Sequence, residues 1–96
     1  MTAYLILDTK ITDPVAYEAY KLQAKPIAEK FGGIYRVRGS DVDLLENDLW
    51  TPTRIVMIEF PSREDARNFY NSEDYQPVRA IRQNNAECTV LLVDGS

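Results

Sequence analysis

The sequence predicts an α+β fold of the ferredoxin-like kind, a βαββαβ chain forming a four-stranded antiparallel sheet with its helices on one face. Three observations predict it. Strand-like and amphipathic helical stretches alternate in that order along the 96 residues. No proline or glycine falls within the strand-like stretches. The run Ile55-Val56-Met57-Ile58 is apolar at both odd and even positions. Successive strand side chains point to opposite sides, so Val56, Ile58 and Phe60 need one cover while Ile55 and Met57 need another. A single helix layer shields only one of these faces.

The first strand is read over Tyr4 to Thr9, where Tyr4, Ile6 and Asp8 alternate with Leu5, Leu7 and Thr9. Thr12-Asp13-Pro14 supplies a capping side chain and a proline whose missing N–H is harmless in a first helical turn. The helix that follows carries an apolar stripe of Tyr17, Tyr20, Ala24, Ile27 and Phe31. Pro26 lies inside it, and a kink or break is expected there because proline removes a donor and crowds the carbonyl of Leu22. Gly32-Gly33 permits the positive φ that ends a helix.

Ile34 to Arg38 reads as the second strand, followed by a turn or bulge at Gly39-Ser40-Asp41 and resumed extended structure over Val42 to Glu46. Asn47 to Thr53, with Trp50 and Pro52, is then a loop leading into a third strand, Arg54 to Phe60. Ser62 and Asp65 form a capping-box-like helix start ahead of Ala66, Phe69 and Tyr70. Asn71-Ser72 interrupts this helix, Glu73 to Asn85 reads as a shorter irregular helical segment, and Cys88 to Val93 is the last strand.

The free sheet face would draw on Leu5 and Leu7 or Ile6, on Tyr35 and Val37, on Ile55 and Met57, and on Thr89, Leu91 and Val93. Burying five large aliphatic groups, at roughly 1.5 to 3 kcal/mol each, is worth about 10 kcal/mol before discounting for a compact unfolded state. A domain of this size is short of buried surface on its own. A second copy, related by a two-fold axis, is the expected cover.

Composition narrows the function classes. Eleven Lys and Arg against fifteen Asp and Glu give a net charge of -4, which offers no general attraction to nucleic acid or anionic membranes. No stretch approaches the roughly 20 apolar residues of a membrane span. With no histidine and one cysteine, a Ser-His-Asp triad, a histidine-ligated haem and a zinc site are not expected, and no cofactor is assigned. Cys88 lacks an intrachain disulfide partner, and Met1-Thr2-Ala3-Tyr4 lacks the features of a signal peptide, so one cytoplasmic domain over residues 1–96 is the expectation.

The residues Gly32-Gly33, Arg38-Gly39, Leu45-Glu46, Trp50, Pro52, Arg54, Glu59-Phe60-Pro61-Ser62, Ala66, Ser72, Tyr75-Gln76, Arg82 and Val93-Asp94-Gly95 together resemble the family catalogued as domain of unknown function thirteen-thirty, within the dimeric α+β barrel superfamily. The resemblance spans nearly the whole chain and departs at Asn47, where the family usually has glycine. It implies a two-sheet barrel homodimer with no settled activity, since the superfamily includes cofactor-free monooxygenases, lactone isomerases, haem enzymes and ligand-sensing domains.

The polar residues that interrupt apolar strands or flank the long loop are the site candidates: Arg38, Glu46, Arg54, Glu59 and Arg82, with Tyr35 and Tyr75. One reading has them pair with each other, Glu46 bridging Arg54 across the loop base. The other has them bind a small carboxylated or phenolic molecule, because Arg offers a planar fork and Tyr an apolar body with a polar tip. For catalysis, Glu46 or Glu59 would accept a proton and Tyr75 would donate to an oxyanion, as in a cofactor-independent monooxygenase or isomerase. A structural or regulatory dimerisation module is the third reading. Trp50 reads as an interface anchor rather than a lid, Tyr17, Tyr20 and Phe31 as core, and Cys88 as inert packing.

Overall fold

The polypeptide runs β1 (Ala3–Ile11), α1 (Pro14–Lys30), β2 (Ile34–Arg38), β3 (Ile55–Phe60), α2 (Arg63–Asn71), α3 (Tyr75–Asn85) and β4 (Ala86–Asp94) in the computed structural model, which describes residues 1–96. The four strands form one antiparallel sheet in the order β2-β3-β1-β4, which is the ferredoxin-like arrangement. Asp13 caps α1, its Oδ1 accepting from the Val15 and Ala16 amides at 3.1 and 3.2 Å, with Pro14 as first helical residue. Ser62 caps α2, its hydroxyl accepting from the Asp65 amide at 3.1 Å and donating to Oδ2 of Asp65 at 2.9 Å.

Helix α1 continues through Pro26 to Lys30, so of the kink or break expected there the break does not occur. Pro26 is on the exposed side, so the carbonyl that loses its partner can be hydrated, while Ala24 and Ala28 pack into the core from the opposite side. The stretch after Ser72 is a regular helix beginning at Tyr75. Ser72 joins the two helices, its hydroxyl donating to the Phe69 carbonyl at 2.8 Å and accepting from the Tyr75 amide at 3.3 Å.

The period-two alternation sorts the sheet into two faces. Leu5, Leu7, Val56, Ile58 and Phe60 are buried beneath the helices, joined by Val90 and Leu92 at the β4 edge. Tyr4, Ile6, Asp8, Ile55, Met57, Glu59, Leu91 and Val93 occupy the alternate positions and are only half-buried or exposed. Tyr35 lies opposite Ile58 but Val37 lies opposite Met57, so a bulge at Arg36 switches the face that β2 presents. Of the alternatives left by the alternation, Ile6 rather than Leu5 and Leu7 reaches the open face; Tyr35, expected there together with Val37, is turned to the helix side by the bulge. The molecule is a slab of 35 × 34 × 18 Å.

An aromatic cluster binds the helices to the sheet. Phe69 stacks on Phe60 at 5.5 Å between centroids, meets Tyr75 at 4.4 Å and Phe31 at 6.3 Å. Such contacts add to the stabilisation from burial itself.

Val42 to Glu46 is not extended sheet; the whole segment from Ser40 to Arg54 is irregular. β3 already has β1 on one side and β2 on the other, and no strand pairs with residues 42–46. The segment is instead tied at its base by Asp8, whose Oδ1 accepts from the Thr53 and Arg54 amides at 2.8 and 3.3 Å and whose Oδ2 accepts from Trp50 Nε1 at 3.2 Å. Asp8→Ala leaves these donors to water and is expected to cost about 1–2 kcal/mol. Because Trp50 is the only tryptophan, its fluorescence anisotropy should fall in that variant; unchanged anisotropy would show that Asp8 does not restrain the segment.

Candidate functional site

Four tyrosines and three arginines gather between α1, α3 and the β2–β3 side of the sheet. Tyr17 and Tyr20, one turn apart on α1, approach to 5.1 Å between ring centroids. The Tyr20 hydroxyl lies 2.7 Å from that of Tyr75, which opens α3. Tyr17, Tyr20, Tyr35, Arg38 and Arg54 line a narrow slot of about 10 Å³ whose floor is Leu7, Val56 and Ile58. Such a volume is close to the minimum that accommodates one water.

Two of the arginines, Arg38 and Arg54, line this slot, and Arg82 packs against the Tyr20 ring. Arg38 stands 4.8 Å over the Tyr35 ring and donates from Nη2 to the Lys21 carbonyl at 2.8 Å. Arg54 lies 5.7 Å from the Tyr17 ring centroid. Its guanidinium fills the space beside Gly39, where an added Cβ would sit 2.5 Å from Nε and push this flexible side chain aside; Gly39 has φ +74°, the conformation that favours glycine there. Arg82 is only 3% exposed, packs 5.9 Å from the Tyr20 ring and leaves Nε and Nη2 without a hydrogen-bond acceptor. The five ion pairs of the molecule are elsewhere, and none includes Arg38, Arg54 or Arg82.

Burial raises the hydroxyl pKa of Tyr17, with Thr9 and the Arg54 charge opposing the rise. It pushes Tyr20 up strongly, reinforced by neighbouring Tyr75. Tyr35 is pushed up to about 12, burial outweighing the opposing Arg38 charge. Burial works against the Arg82 charge, but Tyr75 and Tyr20 favour it and the net direction is upward. At neutral pH the chamber therefore holds guanidinium cations and protonated phenols. It can donate hydrogen bonds to an anion or a phenolic oxygen, and it contains no carboxylate or imidazole to take a proton.

Of the residues singled out from sequence, Tyr35, Arg38, Arg54, Tyr75 and Arg82 fall on this helix-covered side. Glu59 is on the opposite sheet face, accepting from the Tyr4 hydroxyl and from Arg36 Nη2, each at 3.3 Å. Glu46 is exposed in the irregular segment, and the anticipated Glu46–Arg54 bridge does not form because Arg54 turns under the sheet toward Tyr17. Strand parity carries the signal that separates Arg54 from Glu59, since an odd interval puts two residues on opposite faces. Tyr17 and Tyr20, read from sequence as core, are both core and slot wall. The signal for that second role was their hydroxyls, which need polar company when buried.

Raised pKa values on Tyr17, Tyr20 and Tyr35 have a consequence for alkaline stability. The unfolded chain loses these protons near pH 10 and the folded one does not, so the folded state binds more protons above that pH and its stability falls. The expected slope is about 1.4 kcal/mol per pH unit for each tyrosine held protonated. In an ultraviolet titration followed together with circular dichroism, Tyr17, Tyr20 and Tyr35 should ionise at higher pH than in the unfolded chain. Reversible ionisation of every tyrosine near pH 10 in the folded state would contradict this.

The chain belongs to the family described as Domain of unknown function (DUF1330), whose model matches residues 2–96. Among solved structures it is similar to a protein of unknown function from Rhodopseudomonas palustris, with TM-score 0.76 and 17% identity over 99% of this chain and 82% of that one. It is also similar to SnoaB, a cofactor-independent oxygenase from Streptomyces nogalater, with TM-score 0.68 and 7% identity over 99% and 93% of the two chains. A third is a dimeric protein of unknown function and ferredoxin-like fold from Bacteroides fragilis, with TM-score 0.63 and 16% identity over 98% and 96%. No curated protein sequence matches significantly. At these identities the likeness establishes a shared fold.

Proposed function

We propose that this protein binds a small carboxylated or phenolic molecule in the chamber of Arg38, Arg54, Arg82 and the surrounding tyrosines, and that it does so as a homodimer joined through the open sheet face. The observation that carries the binding reading is Arg82, a buried guanidinium with two unpartnered nitrogens and no carboxylate beside it. Tyr75 and Tyr20 favour the Arg82 charge against its burial, and an anionic guest would give its two free nitrogens acceptors while the tyrosine rings surround the guest's apolar body. The half-buried Arg38 and Arg54 have to swing outward to widen the slot, a side-chain motion that is fast.

A thermal-shift series with small aromatic acids and quinols tests the site. A compound present at one hundred times its Kd stabilises by about 2.7 kcal/mol. The shift should shrink in Arg38→Gln and Arg54→Gln. If no compound moves the wild-type midpoint, the reading fails; if both variants respond like wild type, the chamber is not the site.

The second reading, a cofactor-independent enzyme acting on an aromatic or carbonyl substrate, is favoured by the fold shared with SnoaB. Glu46 and Glu59 are both outside the chamber, so a substrate there would have to ionise without a protein carboxylate, its anion stabilised by arginine and tyrosine donors.

The homodimer is supported by the half-exposed apolar side chains on the open face, Leu91 and Val93 being 47% and 44% exposed, and by the dimeric neighbour from Bacteroides fragilis. Sedimentation equilibrium should give twice the chain mass for the wild type and the single-chain mass for Met57→Glu, which puts a charge at the centre of that face. A wild-type monomer at micromolar concentration would refute this.

A further inference from the structure

The segment between β2 and β3 is the least explained part of the molecule. Leu45 and Leu49 are each 86% exposed, and Leu44 and Trp50 are also exposed. Asp41, Asp43, Glu46 and Asp48 share the segment, while residues 40–53 contain no lysine or arginine. Solvated loops do not ordinarily combine such apolar exposure with charge of one sign, and an exposed apolar cluster marks a contact surface. The segment is not loose at its base, where Asp8 holds Trp50, Thr53 and Arg54.

A complementary surface lies on the same chain. Between α2 and β4 runs an open groove of about 330 Å³ with Leu5, Tyr70, Val90 and Leu92 along its floor and Arg67 and Asn71 at its rim. This volume falls within the range of roughly 300 to 1,000 Å³ typical of sites that receive an apolar guest. Arg67 is exposed and takes part in no ion pair. Arg79 brings a second positive charge to the groove residue Tyr70, its guanidinium 4.8 Å over that ring. β4 is an edge strand of nine residues, and long apolar edges call for a cover.

We propose that residues 40–54 form an arm that docks on a second copy of the chain, seating Leu45 and Leu49 in that copy's α2–β4 groove with Glu46 and Asp48 facing the Arg67 side of the rim. The inference rests on the homodimer reading above and assigns the arm and groove as a second contact within it. Each copy has one arm and one groove, so the contact can be made reciprocally about a two-fold axis and closes without further growth. Leucine side chains supply the buried area, and the opposite charges set which way the arm lies. Val42 to Glu46, strand-like in sequence but without a strand partner in its own chain, would be covered by this contact.

Site-directed cross-linking tests it. In a Cys88→Ala background, Leu49→Cys protein is mixed with Asn71→Cys protein and mildly oxidised. The mixture should give a covalent heterodimer in clear excess over the disulfide product of either variant alone. In parallel, Leu45→Ser combined with Leu49→Ser should weaken dimerisation at least tenfold by sedimentation, and Arg67→Glu should also weaken it. Glu46→Arg added to Arg67→Glu should recover part of that loss. Leu45, Glu46, Leu49, Arg67 and Asn71 are exposed and Cys88→Ala removes only one partly buried sulfur, so circular dichroism should show each variant folded. A dimer that Met57→Glu abolishes, but that the arm and Arg67 variants leave unchanged and the cysteine pair does not cross-link, would overturn the docking while leaving the sheet-face dimer standing. A wild-type protein that is monomeric would overturn both.

Discussion

The two central strands are apolar on both of their faces, and the helices cover only one. Everything else in the molecule is arranged around this imbalance. β1 and β3 bury Leu5, Leu7, Val56, Ile58 and Phe60 beneath α1, α2 and α3, while Ile6, Ile55 and Met57 look the other way. In a slab only 18 Å thick there is no second protein layer for them. The polar residues on that side, Glu59 with Arg36 and Tyr4, satisfy one another, so covering the face need not strand a lone charge.

On the helix side, packing and site are made of the same residues. Tyr75 meets Phe69 through its ring and Tyr20 through its hydroxyl, linking the aromatic core to the arginine-rich chamber. Truncating these side chains would therefore disturb stability and site together, whereas Arg38 and Arg54 at the rim can be altered with less effect on the core. The accumulation of guanidinium groups without carboxylates is unusual in a chain whose net charge is -4. Local charge, not the molecular total, decides what such a chamber attracts.

The β2–β3 segment completes the picture. Asp8 stands at the open-face end of β1 and holds the base of the arm by three hydrogen bonds, so one carboxylate sets where Trp50 and the exposed leucines are displayed. The arm, the open face and the α2–β4 groove are three apolar surfaces with no partner inside one chain. Mutual coverage between two copies, as proposed above, would account for all three.

The order of elements, the caps at Asp13 and Ser62, the turn at Gly39 and the two-sided character of β3 were legible in the sequence, because each depends on neighbours in the chain or on the period-two geometry of a strand. Parity alone also separates Arg54 from Glu59. Folding decided what local pattern cannot: a bulge at Arg36 turned Tyr35 and Arg38 toward the helices, residues 42–46 were left without a strand partner, and Tyr20 met Tyr75 and Arg82 across more than fifty residues of sequence. Chemistry written into single side chains and their spacing determines the elements; which of them share a chamber depends on distances that exist only once the layers have packed.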